Sequence, residues 1–119
     1  MWTYNQANGN LTRNDEPAGE GYSGFEAGKN NPAMQTVHDV GPIPQGLYEI
    51  GPPHDTSTHG PHVMALTPAA GTNTFGRNGF LIHGDSVAAP GTASHGCIIL
   101  PRAVRDAIAA SGDNQIQVA

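Results

Sequence analysis

Short apolar runs, separated by polar stretches rich in glycine, recur along this chain, and none is long enough for more than a strand. Trp2-Thr3-Tyr4 and Leu11-Thr12-Arg13 flank Asn8-Gly9, a pair that adopts the left-handed backbone a tight turn needs, so residues 2–13 predict a hairpin. Residues 46–50 alternate apolar and polar positions and predict a strand. Residues 62–66 predict another, ended by Thr67-Pro68 because proline has no N–H for a ladder. Two apolar runs follow at 80–82 and 97–100, and the first carries His83 at its end. Pro101, with its φ preset for a first turn, predicts a helix over 101–111 in which Val104, Ala107 and Ile108 share a face and Gly112 supplies the stop. Residues 115–118 alternate again as a closing strand. The glycine-, asparagine- and proline-rich stretches at 15–31 and 52–61 read as loops. No internal repeat or linker interrupts the pattern, so residues 1–119 form one domain, mostly β with one short helix.

Composition narrows the partners. Ten acidic against five basic side chains give a net charge of −5, and the bases are scattered, which argues against nucleic acid. No run approaches the length of a membrane span. Met1 leads directly into Trp2-Thr3-Tyr4, so no signal peptide is visible, and action outside the cell would need another export route or a removed segment. One cysteine forbids an intrachain disulfide.

That cysteine carries the candidate chemistry. His83-Gly84-Asp85 is followed after a short loop by Ser94-His95-Gly96-Cys97-Ile98. A lone cysteine is more often an inert core residue, but a core thiol has no need of two nearby histidines, and an imidazole next to sulfur supplies the base that generates thiolate. On this reading the thiol is expected to react faster near neutral pH than an ordinary one. The N–H groups of Gly96 and Cys97 are candidates for an oxyanion hole. His95, two residues before Cys97, shares its face if the segment is extended. Asp85 is either a carboxylate partner for histidine or a turn residue, Ser94 orders the loop or meets substrate, and Tyr22 is a candidate groove residue. Arg77 is either a solvated surface residue or a clamp for a substrate carboxylate. His54, His59 and His62 with Asp55 invite a zinc reading, but their spacing fits no metal motif, and neither a metal nor another cofactor is expected.

The stretch from His83 to Ile98 resembles the active-site motif of the L,D-transpeptidases, cysteine enzymes that remodel peptidoglycan. Gly41-Pro42-Ile43-Pro44-Gln45-Gly46-Leu47-Tyr48-Glu49-Ile50 resembles that family's Pro-x-Gly-x-Tyr-x-Ile strand. Gly21-Tyr22-Ser23-Gly24, Gly60-Pro61 and Gly76-Arg77-Asn78-Gly79-Phe80 resemble a compact subgroup that includes type VI secretion effectors. The resemblance implies a small β-sandwich-like fold, Cys97 as nucleophile and His83 as its base, with the Gly84 carbonyl orienting the imidazole and His95 secondary. It implies a tetrapeptide stem of peptidoglycan as substrate, cleaved or exchanged at its terminal D-alanine in the bacterial periplasm, with a secretion apparatus and an immunity protein as partners. One departure is Ile99, where many L,D-transpeptidases carry arginine or asparagine. Crosslink formation, another cysteine amidase or peptidase, and a non-enzymatic cell-wall or metal-binding module stay open as alternatives. The close order of histidine before cysteine counts against a papain-like enzyme.

Overall fold

The computed structural model describes residues 1–119. Ten strands and one helix follow along the chain: β1 (Trp2–Tyr4), β2 (Asn10–Arg13), β3 (Glu16–Glu20), β4 (Tyr22–Ser23), β5 (Gly46–Ile50), β6 (His54–Thr56), β7 (Gly60–Pro68), β8 (Leu81–His83), β9 (Ile98–Ile99), α1 (Arg102–Ser111) and β10 (Gln115–Val118). Hydrogen bonding runs in the order β3-β2-β1-β10-β5-β7-β8-β9-β4, with β6 added to β7. The pairs β1–β10 and β8–β9 are parallel and the others antiparallel. The result is the mostly β, sandwich-like domain expected, with a mixed sheet and one helix.

Alternation decides which faces are buried. Register places Trp2 opposite Ile116, and Ile116 opposite Tyr48, so one row of buried side chains crosses three strands. Met64, Ile82 and Ile98 form a second row across β7, β8 and β9. Full burial of an isoleucine such as Ile82 or Ile98 contributes about 1.5–3 kcal/mol. The halves join at β7, which pairs with β6 and β8 along its earlier part and with β5 at Leu66, Thr67 and Pro68. Helix α1 buries Ile108 and Arg105, packs on β7, and ends at Gly112 in the left-handed conformation, φ 71°.

Three expectations are corrected. The stretch at 15–31 contains β3 and β4 as well as a 3₁₀ turn at Glu26–Gly28, and 52–61 contains β6. These strands are polar because they lie at the rim: β3 and β4 terminate the hydrogen-bonded path, where Pro17 costs no central ladder bond. Pro101 precedes the helix rather than opening it. No helix is long and apolar enough to cross a membrane.

Candidate active site

Parallel pairing of β8 with β9 builds the site. Ile82 lies opposite Ile98 and His83 opposite Ile99, with Cys97 one residue before β9. By alternation His83, Cys97 and Ile99 share a face, with His83 and Cys97 as diagonal neighbours on adjacent strands. Tyr22 of β4 pairs with Ile99 and joins that face. Ile99 is therefore a buried sheet residue in contact register with both neighbours, and offers no polar group to a ligand.

His83 is buried, and its Nδ1 lies 2.8 Å from the Gly84 carbonyl oxygen. Such a bond requires the proton on Nδ1 and leaves Nε2 as the acceptor. Burial pushes the His83 pKa below the ordinary histidine value; the Gly84 carbonyl opposes the shift, and His59 and Arg105 reinforce it. The imidazole is thus neutral at physiological pH, with Nε2 unprotonated and able to accept a proton. Cys97 is half-buried. Burial raises its thiol above the ordinary value, against the smaller opposing effects of the Leu81 backbone and the Arg77 cation. Its sulfur lies 3.9 Å from the Gly79 carbonyl oxygen, and no hydrogen bond joins it to His83 in this state.

A neutral thiol beside a neutral base changes one expectation. The resting site holds no preformed thiolate, so alkylation of Cys97 by iodoacetamide is expected to be slower at pH 7 than that of free cysteine. The rate should continue to climb above the pH at which free cysteine levels off, since a raised pKa leaves less thiolate at any lower pH. Mass-spectrometric labelling rates across pH 6–10 test this; a rate above that of free cysteine at pH 7 would establish a thiolate instead.

The loop that carries Cys97 is fastened from behind. Ser94 is fully buried; its Oγ accepts from the Gly24 and Gly96 N–H groups, at 2.9 and 3.2 Å, and donates to the Cys97 carbonyl at 2.6 Å. Ser23 Oγ donates to the Gly96 carbonyl and accepts from the Ile43 N–H. Ser94 is thus a loop fastener and does not meet substrate. The oxyanion proposal for Gly96 is corrected too, because its N–H is spent on Ser94; the Cys97 N–H is left without a partner in the protein. Gly96 instead provides room: at φ 135°, a Cβ there would lie 2.6 Å from Arg77 Nη2.

Arg77 is neither a surface residue nor a free clamp. It is buried, and its guanidinium donates to the carbonyls of Gln35, Pro42, Gly41 and, at 3.4 Å, His95. Both of its Nη atoms are occupied by backbone carbonyls, so it is not a free two-pronged clamp; it knits the 35–42 segment to the cysteine loop. Asp85 does not orient His83. It accepts from the Tyr22 hydroxyl at 2.5 Å and from the Ser86 and Gly91 N–H groups, a turn role. Burial acts to raise its pKa, but these hydrogen bonds outweigh it and hold the carboxyl below the usual range. Tyr22, pushed up to about 12 by burial and by Asp85, remains a donor and also accepts from the Ala93 N–H at 3.0 Å. Both residues shape the 86–93 loop. His95 is exposed, packs on Phe25 with ring centroids 4.7 Å apart, and its Nδ1 meets the Asp39 carbonyl oxygen at 2.9 Å.

Two cavities meet at this face. One, about 350 Å³, is lined by Cys97, Gly96, His95, Arg77 and Phe80; the other, about 610 Å³, by His83, Gly84, Asp85, Pro61 and Arg105. His59 lines both, and its ring packs against His83 at a tilt of 53° with centroids 4.8 Å apart. It sits at the tip of the β6–β7 hairpin, where Thr58 Oγ1 lies 3.0 Å from its Nδ1. Sequence reasoning missed His59 because a histidine in a polar loop looks solvated; no local signal brings it to β8. His62 lies elsewhere, 3.2 Å from Asp106 on α1, and His54 meets the Pro52 carbonyl oxygen.

Among curated proteins, no sequence matches this chain. A family model, the Tlde1 domain, matches residues 18–118 and so takes in β4, β8, β9 and every residue of the site. That match supports a type VI effector with peptidoglycan-related activity. With nearly the whole chain covered, the protein belongs to the Tlde1 domain family.

Proposed function

We propose that this domain is a cysteine acyltransferase that trims or exchanges the terminal D-alanine of peptidoglycan tetrapeptide stems. The observation that carries the reading is the imidazole of His83, neutral, tied at Nδ1 to the Gly84 carbonyl, on the strand beside Cys97 and facing the same way. In the first half-reaction His83 Nε2 takes the thiol proton as the sulfur attacks the carbonyl of the third stem residue, a diamino acid at its L-centre. The Cys97 N–H, free of protein partners, is the donor available to the developing oxyanion. The bond to D-alanine breaks, the proton on His83 passes to the departing amine, and a thioester remains on Cys97. Water, or the amine of a free D-amino acid, then attacks the thioester, gives its proton to His83, and the thiol is restored. The resemblance to L,D-transpeptidases and membership of the Tlde1 family support this substrate class and the periplasm of a target cell as its place of action; a secretion apparatus and an immunity protein are the partners that this reading adds.

Mass spectrometry of purified muropeptides incubated with the protein tests this reading. Tetrapeptide stems are expected to become tripeptides with release of D-alanine, and added D-methionine to yield a tetrapeptide ending in methionine. Cleavage between sugars, at the lactyl amide, or a 3-3 crosslinked dimer as the main product would overturn it.

A further inference from the structure

Arg105, like Arg77, is a buried cation near the site that the chemistry above leaves unused, but one of its guanidinium nitrogens is unpaired. It is 6% exposed. Its Nε donates to the Leu100 carbonyl at 3.0 Å, and its Nη1 to the carbonyls of Pro61 and His62 at 2.8 and 3.1 Å. These bonds fix the guanidinium, yet all of its acceptors are neutral. The nearby carboxylate of Asp106 pairs with Arg102 and His62 instead. Nη2 has no acceptor in the protein. It leans on Gly84, so closely that a Cβ at that residue would lie 2.7 Å from it, and Arg105 and His83 line the same cavity. A guanidinium largely withdrawn from water, with no carboxylate bonded to it and held rigid by its other nitrogens, favours a ligand carboxylate.

We propose that the cavity on the His83 side is the acceptor subsite, and that it takes a free α-amino acid whose carboxylate binds Arg105 Nη2. The proposal rests on the acyl-transfer reading and adds the recognition of the second substrate. Gly84 stands between the two functional groups: its carbonyl holds the base, and its bare Cα lets the cation close in. A carboxylate on Nη2 brings the α-amine of the same molecule toward His83. The adjacent cation also favours the neutral form of that amine, which is the nucleophilic form. The amine nitrogen bonds to the thioester carbonyl carbon and gives a proton to His83 Nε2. The carbon–sulfur bond breaks, and the sulfur recovers the proton from His83. The donor stem occupies the other cavity, against Cys97, and His59 is the wall between the two substrates.

The experiment reads a partition. Both tripeptide and exchanged tetrapeptide come from the same thioester, so their ratio does not depend on how much of a preparation is folded. With wild-type protein and a tetrapeptide muropeptide, D-methionine is compared with D-methioninamide over a range of concentrations. The amide has no carboxylate, but its amine is less basic and more of it is neutral at pH 7. Without carboxylate recognition it would be the better acceptor. The expected result is an exchange-to-hydrolysis ratio at least about tenfold lower for the amide, and a similar fall for Arg105→Lys with D-methionine. An equal or higher ratio for the amide overturns the subsite, as does hydrolysis with no exchange at any D-methionine concentration. Failure to convert the stem at all would overturn the acyl-transfer reading itself, and the subsite with it.

Discussion

Alanine at position 97 is expected to lower stem conversion by at least about a thousandfold, with the fold intact. The sulfur is the atom that forms the bond, and no neighbouring side chain offers a substitute nucleophile: Ser94 is fully buried with its hydroxyl committed to the Cys97 carbonyl, and Ser23 is likewise turned into the loop. Stability should change little. The thiol is half-buried and its hydrogen bond to the Gly79 carbonyl is long, at 3.9 Å, so its loss costs about 1 kcal/mol. Thermal unfolding within a few degrees of wild type, together with absent tripeptide, would fit. Undiminished conversion by the alanine variant would remove Cys97 from the chemistry.

His83→Ala should cost on the order of a hundredfold or more, and His95→Ala far less. Both histidines hold Nδ1 against a backbone carbonyl, but only His83 is buried and stands on the strand paired with the cysteine segment. His95 is bound to Asp39 and packed on Phe25. The pH profile gives an independent sign. A base must be unprotonated to accept, so kcat/KM falls as pH drops through the His83 value. Burial lowers that value, and the acid limb should therefore lie below the ordinary histidine range. An acid limb above that range, or a His95→Ala variant more damaged than His83→Ala, would reassign the base.

What the sequence disclosed follows from where each signal resides. The hairpin at Asn8-Gly9, the alternation of β5 and β10 and the helix from Arg102 are set by local periodicity and punctuation, and the chain shows them directly. The bond from His83 to the Gly84 carbonyl joins neighbours in sequence and was anticipated by resemblance. The hidden parts depend on long-range packing. Arg77 meets the Gln35 and Pro42 carbonyls, some forty residues away, and nothing around it in sequence distinguishes such a staple from a substrate clamp. His59 and Arg105 reach the site from a hairpin tip and a helix face, both ordinary in composition. The rim strands β3, β4 and β6 have too few buried positions to betray a period of two.

Strand β10 lies between β1 and β5, although almost the whole chain separates it from the first of these. Its insertion is the last seam of the sheet. A nascent chain that stops short of residue 115 carries two facing open edges, and the Trp2–Ile116–Tyr48 row has no middle. Folding is thereby tied to contacts of the greatest sequence separation, whose loop-closure entropy makes them slow to form. The Trp2–Ile116–Tyr48 layer cannot close before β10 is made, so this half of the sheet is completed only once residues 115–118 are available.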